Sequence, residues 1–186
     1  MPRPATYALL LALLLSGCAT YSLVEPKRTP IGDLYTVEPQ IPWSAAKSGK
    51  YEIWTVDGRL LQQLQFVNGL EDGEPMFKGN EQYKKQVFRK SMPASDIMEL
   101  VVDGLASDGA QKLATRNLKP APFGGQPGFR FEANFVTKDG LEYEGLVVGA
   151  IIKDKLYLIK YTGTRAHYHP KHKEHVERLI ESIRMQ

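Results

Sequence analysis

Phe129-Arg130-Phe131-Glu132-Ala133-Asn134-Phe135 is the stretch that decides the fold. Apolar Phe129, Phe131, Ala133 and Phe135 alternate with polar Arg130, Glu132 and Asn134. A period of two places the two sets on opposite faces, so the segment reads as a half-buried β-strand. Asp139-Gly140 follows, a pair suited to the φ > 0 positions of a hairpin turn, and leads into a strand from Leu141 to Ile152. Lys153-Asp154-Lys155 turns the chain once more into Leu156 to Thr162. Short turns between consecutive strands predict an antiparallel meander.

The flanking sequence supplies the rest of the expected domain. A hairpin runs from Tyr51 to Val67 around Asp57-Gly58. A polar loop without periodicity follows, from Asn68 to about Pro93. Ile97, Leu100, Val101, Gly104 and Leu105 then recur at helical spacing, with Ser95 as a cap and Gly109 as a stop. Lys112 to Leu118 reads as a short strand that Pro120 and Pro122 terminate, ahead of a loop at Gly124 to Gly128. A last helix is expected from about Pro170 to Arg184, with Val176, Leu179, Ile180 and Ile183 as its apolar stripe. The predicted fold class is α+β: an antiparallel sheet built of hairpins with two amphipathic helices packed on it.

Upstream of this domain, Arg3 precedes an unbroken apolar run from Ala5 to Leu15, followed by Ser16-Gly17-Cys18. A basic start, a short apolar core and a small-residue cleavage site make a secretory signal peptide over residues 1–17. The run is far short of the ~20 residues of a spanning helix. Leu15-Ser16-Gly17-Cys18 resembles the lipobox of bacterial lipoproteins. That resemblance implies cleavage before Cys18 and acylation, palmitate included, of its thiol and amine. The membrane, held through acyl chains on Cys18, is the first expected partner. Ala19, in place of an aspartate, implies the outer membrane facing the periplasm in a Gram-negative host. Cys18 is the only cysteine, so no disulfide forms within one chain. Residues 18–34 read as the lipidated cysteine and a flexible tether with a reach of roughly 50 Å. Residues 35–186 then form the single domain.

Composition narrows the function classes. The formal charge falls from +3 to +2 once Arg3 is removed, and acidic and basic residues are interleaved. No basic block speaks for nucleic acid, which is excluded as an expected partner. Gly-Phe-Arg-Phe-Glu at 128–132, Gly-Leu-Glu-Tyr-Glu-Gly at 140–145, Leu-Tyr-Leu-Ile-Lys-Tyr at 156–161 and the terminal Glu-Ser-Ile-Arg at 181–184 resemble the PsbP-like sandwich. The resemblance covers about a third of the chain and implies an assembly or interaction factor with an envelope protein as partner.

One constellation bears on chemistry. All four histidines, His167, His169, His172 and His175, fall within nine residues. Imidazole is a ligand for zinc, copper and nickel, and His172 and His175 share a helix face at i, i+3. Glu174 and Glu177 are candidate acceptors behind them. Lys171 and Lys173 flank the cluster, which is also the pattern of a solvated helix start, and no His-Glu-x-x-His template is present. No other cofactor is implied. Asp57 and Asp139 each precede Gly and read as turn residues, and no Gly-x-Ser-x-Gly occurs, so no residue is assigned a catalytic role. Tyr157, Ile159 and Tyr161, with Tyr143 as a neighbour, form either a buried core under the last helix or a groove for a partner or a lipid. The sequence thus predicts a lipid-anchored, non-enzymatic interaction or assembly module. Its alternatives are a metal-binding lipoprotein and a carrier of an apolar ligand.

Overall fold

A computed structural model describes residues 21–76 and 86–186. The signal peptide and Cys18 lie outside these residues. Eight strands form one antiparallel sheet in the order β1-β4-β5-β6-β10-β9-β8-β7. They are β1 (Ser22–Val24), β4 (Trp43–Ser48), β5 (Tyr51–Thr55), β6 (Gln62–Leu70), β7 (Gln111–Phe123), β8 (Gln126–Val136), β9 (Glu142–Ile152) and β10 (Lys155–Thr164). A second sheet, ordered β11-β3-β2, joins β2 (Thr29–Ile31), β3 (Tyr35–Val37) and β11 (Arg184–Met185). The two helices described are α1 (Ala94–Ser107) and α2 (Tyr168–Glu181).

The meander read from the sequence is the centre of the sheet. β9 and β10 pair from Lys155↔Ile152 to Thr164↔Tyr143, and β8 pairs β9 from Phe129↔Gly149 to Val136↔Glu142. The β9–β10 turn places Lys153 and Asp154 at φ of 50° and 64°, as a two-residue hairpin requires. Each face of the sheet carries its own core. Ile97, Leu100, Val101 and Leu105 of α1 pack with Met76, Phe88, Phe131, Val147 and Leu158 on one face. Val176 and Leu179 of α2 pack with Trp43, Trp54, Phe66, Ile159 and Tyr161 on the other, together with Ile31, Tyr35 and Val37 of the small sheet.

The α+β expectation is corrected: the fold is mainly antiparallel β, with two helices subordinate to eleven strands among the described residues. Two stretches account for the difference. β7 runs thirteen residues, through Pro120 and Pro122, instead of ending at Leu118. As an edge strand it needs no donor on its outer side, so proline is tolerated there. Its register shifts flank Lys112 and Asn117, both at positive φ, which a pattern search sees as breaks. The second stretch lies in the expected tether. Ser22–Val24 pairs β4, Thr29–Ile31 pairs β3, and Ile31 is fully buried. From Ser22 onward the chain is therefore part of the folded domain.

The strand directions define two poles. At the near pole lie the start of β1 and the β4–β5 and β9–β10 turns. The far pole carries the β5–β6 turn at Asp57-Gly58, the β8–β9 turn at Asp139-Gly140 and the start of α2.

Gly149 sits where three strands close on one another. A Cβ there would lie 2.8 Å from the Tyr157 carbonyl oxygen and against Leu158 Cδ2 and the Phe129 ring. The carbonyl belongs to the central ladder and has nowhere to go. Gly149→Ala is expected to lower the unfolding free energy by about 1–3 kcal/mol in urea titrations, and an unchanged midpoint would show that the ladder yields.

Candidate functional site

The far pole holds ionisable side chains inside both cores. On the α2 face, α2 lays His169, His172, Val176 and Leu179 into the sheet. The spacing of 3, 4 and 3 residues is that of a continuous helix stripe, so the two histidines extend the apolar stripe toward the helix start. His169 is 5% and His172 3% exposed. His169 stacks on the Tyr161 ring at 5.2 Å and directs Nδ1 to Glu144 Oε2 at 3.3 Å. His172 Nε2 lies 2.5 Å from Asp57 Oδ2. The carboxylate accepts, so the shared proton is carried by Nε2. Lys171 Nζ donates to Asp57 Oδ1 at 2.8 Å.

The remaining two histidines turn elsewhere. His167 precedes α2 and meets the Tyr168 ring edge-on at 4.8 Å. His175 is half-buried and accepts from Arg178 Nη2 at 3.0 Å. No group of three or more His, Cys, Asp or Glu side chains among the described residues is arranged to hold a metal ion. Of the two expected acceptors behind the cluster, Glu177 pairs with Arg130 at 2.9 Å and Glu174 accepts from Arg178.

Electrostatics follow from these neighbours. Burial works to raise Asp57, but hydrogen bonds and charge from Lys171 and His172 outweigh it and hold the carboxyl below its ordinary value. Burial pushes His169 below the ordinary imidazole value, with Glu144 opposing and Lys173 adding to it. Burial and the Arg178 charge do the same to His175. His169 Nε2, His172 Nδ1, Trp43 Nε1 and both side-chain amide atoms of Gln62 are buried without a protein hydrogen-bond partner. Polar atoms of this kind are ordinarily satisfied by bound water.

The α1 face of the same pole holds a feature that the pattern of the sequence did not isolate. Lys160, 8% exposed, projects from the centre of β10. It lines a cavity of about 330 Å³ whose walls include Leu60, Leu105, Phe135 and Tyr143. Phe135 and Tyr143 stack at 5.1 Å, and the Tyr143 hydroxyl donates to the Leu60 carbonyl. Burial lowers the Lys160 amine to about 8, against the opposing charge of Asp108 at the end of α1. The sequence cue was a lone lysine inside the apolar run Leu156 to Tyr161. Tyr143 belongs to this face, whereas Tyr157, Ile159 and Tyr161 lie in the α2-side core, so the four do not share a groove.

No protein-family model and no curated protein matches the chain. Among solved structures, cyanobacterial PsbP (CyanoP) from Synechocystis sp. PCC 6803 superposes with a TM-score of 0.59 at 13% identity, over 92% of this chain and 96% of that one. The fold is PsbP-like. Two other structures align less well. PA94 from Pseudomonas aeruginosa, a protein of unknown function described as a putative regulator, has a TM-score of 0.43 at 10% identity, over 88% of this chain and 81% of that one. LpqN of Mycobacterium tuberculosis, involved in cell envelope biogenesis, has 0.41 at 7%, over 92% and 87%. At 13% identity, the PsbP-like assignment describes architecture alone.

Two expectations follow from the buried ionisable groups of this PsbP-like domain. Native Lys160 loses its proton near 8, whereas the unfolded chain holds it to about 10.4, so stability rises with pH between those values. Lys160→Met exchanges a buried ammonium for an apolar chain of like length. It is expected to stabilise the fold at pH 7 by about 1–3 kcal/mol and to flatten that alkaline rise. A less stable variant at pH 7 would show that the ammonium's contacts outweigh its burial.

The histidines act at lower pH. Both depressed imidazoles favour the neutral form in the native state, so their contribution is complete above the unfolded value near 6.5 and is lost as pH falls below it. The urea midpoint is expected to drop between pH 7.5 and 5.5, and to drop less in His169→Gln. Equal drops would remove His169 as a cause.

Proposed function

We propose that this chain is a lipid-anchored protein of the bacterial envelope that works as a non-enzymatic interaction or assembly module. The observation that carries the reading is Leu15-Ser16-Gly17-Cys18 ending four residues ahead of Ser22, the first residue of β1. A lipobox at that point fixes the domain to a membrane through Cys18 and leaves almost no chain between them. More than one acyl chain is needed for stable anchoring, and the bacterial modification supplies it. Ala19 favours the outer membrane, facing the periplasm, in a Gram-negative host. An envelope protein is the expected partner.

A second reading, a carrier for an apolar ligand, is favoured by one feature. The cavity lined by Leu60, Leu105, Phe135 and Tyr143 combines aromatic and aliphatic walls. Native mass spectrometry of the protein from its own cells would support it by a bound small molecule that Lys160→Met loses. Both proteins appearing at their own ligand-free masses would set it aside.

Fractionation of cells expressing the full chain tests the anchor. The parent protein is expected in the membrane fraction and Cys18→Ala in the soluble one. Persistence of Cys18→Ala in the membrane would overturn the anchor, and in-cell crosslinking that recovers no envelope protein above background would overturn the interaction reading.

A further inference from the structure

The start of β1 fixes which end of the domain is nearest the anchor. Ser22 pairs Ala45, Leu23 pairs Ser44 and Val24 pairs Trp43. Followed backwards, β1 therefore runs toward the end of β4, where Lys47 and Ser48 lead into the turn at Gly49 and Lys50. Cys18 precedes Ser22 by four residues, so the two α-carbons are at most about 14 Å apart. A tether this short holds the domain close to the bilayer and leaves its tilt to be set by surface contacts.

The near pole is built around a cavity of about 480 Å³. Gly32, Gly49 and Gly69 shape its wall, all at positive φ, and Asn68 and Tyr157 contribute to its lining. A side chain on Gly69 would place its Cβ 3.0 Å from the Tyr157 hydroxyl, so the cavity depends on glycine there. Lys47, Lys50, Lys153 and Lys155 also line it, against Asp33 as the one carboxylate in that lining. Glu71 and Glu74 offset part of this charge: Lys50 lies 2.6 Å from Glu74 and 3.8 Å from Glu71, and Lys155 lies 2.8 Å from Glu71. Lys47 and Lys153 are exposed and draw no ion pair among the described residues. The far-pole turns carry cations as well, Arg59 beside Asp57 and Lys138 beside Asp139, with Lys171 bonded to Asp57; Lys47 and Lys153 differ from these in lying at the pole where the chain arrives from Cys18.

We propose that this near pole rests on the phosphate headgroups of the anchoring membrane, with Lys47 and Lys153 making the anionic contacts and the far pole directed away from the bilayer. The inference rests on the lipid-anchor reading. Lysine suits the task, because its stem lies along a surface while its ammonium reaches the phosphate plane. Anionic lipid attracts such residues only within a Debye length, a distance of the same order as the span from Cys18 to Ser22.

The test uses the full lipidated protein, purified and reconstituted in vesicles of phosphatidylcholine alone or with a minority of phosphatidylglycerol. Acylation consumes the Cys18 thiol, so Ser48→Cys at the near pole or Asp139→Cys at the far pole supplies a unique site for a fluorophore. A quencher is carried on the lipid headgroup. With phosphatidylglycerol present, quenching at position 48 is expected to exceed that at position 139 by at least about threefold, and Lys47→Glu with Lys153→Glu is expected to erase most of the difference. Equal quenching at the two positions, or a difference indifferent to both phosphatidylglycerol and the lysines, would overturn the orientation while leaving the anchor standing. Protein that fails to float with the vesicles, or a parent chain that takes up the fluorophore at Cys18, would overturn the anchor and the orientation together.

Discussion

The structure depends on one hairpin that must be buried on both faces. β9 and β10 pair along their whole length, and both are buried over nearly all of it. Leu158 and Val147 face one side, Ile159, Tyr161 and Leu146 the other. Leaving either face in water would forfeit roughly 1.5–3 kcal/mol per large apolar side chain, so each face needs its own cover. α1, Met76 and Phe88 supply one, and α2 with the three-stranded sheet supplies the other. The chain order follows: the strands that extend the sheet come before and after α1, while α2 and β11 close the second face last.

The hairpin was legible because its neighbours obey simple periods. Phe129 to Phe135 alternates, Asp139-Gly140 and Lys153-Asp154 turn, and Ile97 to Leu105 repeats at helical spacing. All of these appear at the expected places. What escaped the sequence has physical causes. Residues 22–37 form strands of three residues each, too short for any period to register. β7 is interrupted by Lys112 and Asn117 at positive φ and by two prolines, all of which an edge position tolerates. These irregularities also make a long exposed edge a poor template for another strand.

The candidate site was half legible. The histidine cluster drew attention as a ligand set, yet its members separate: two continue the buried stripe of α2 and two do not. The spacing from His169 through His172 and Val176 to Leu179 already contained that stripe, but lysines between its members gave it the look of a solvated face. Asp57 had been fully explained by its turn, and only tertiary structure brings it to His172. Lys160 required knowing that β10 is central, since a lysine on a half-exposed strand is unremarkable in chemistry.

Placing these groups inside has a consistent geometry. Near the start of β1 the core is aromatic, with Tyr35 packed edge-on against Phe123 at 5.1 Å and Tyr157 at 6.3 Å. Toward the opposite pole the same sheet buries an imidazole against each of two carboxylates on one face and an ammonium on the other. Buried charge contributes less stability than apolar packing of the same volume, so the far pole is where the fold gives stability away. Trp43 packs at 6.1 Å against His172 there, so local opening at that pole would expose an indole together with the imidazole. With the anchor proposed at Cys18, four residues before Ser22, the start of β1 is the end held at the membrane and the opposite pole is the end free to meet a partner.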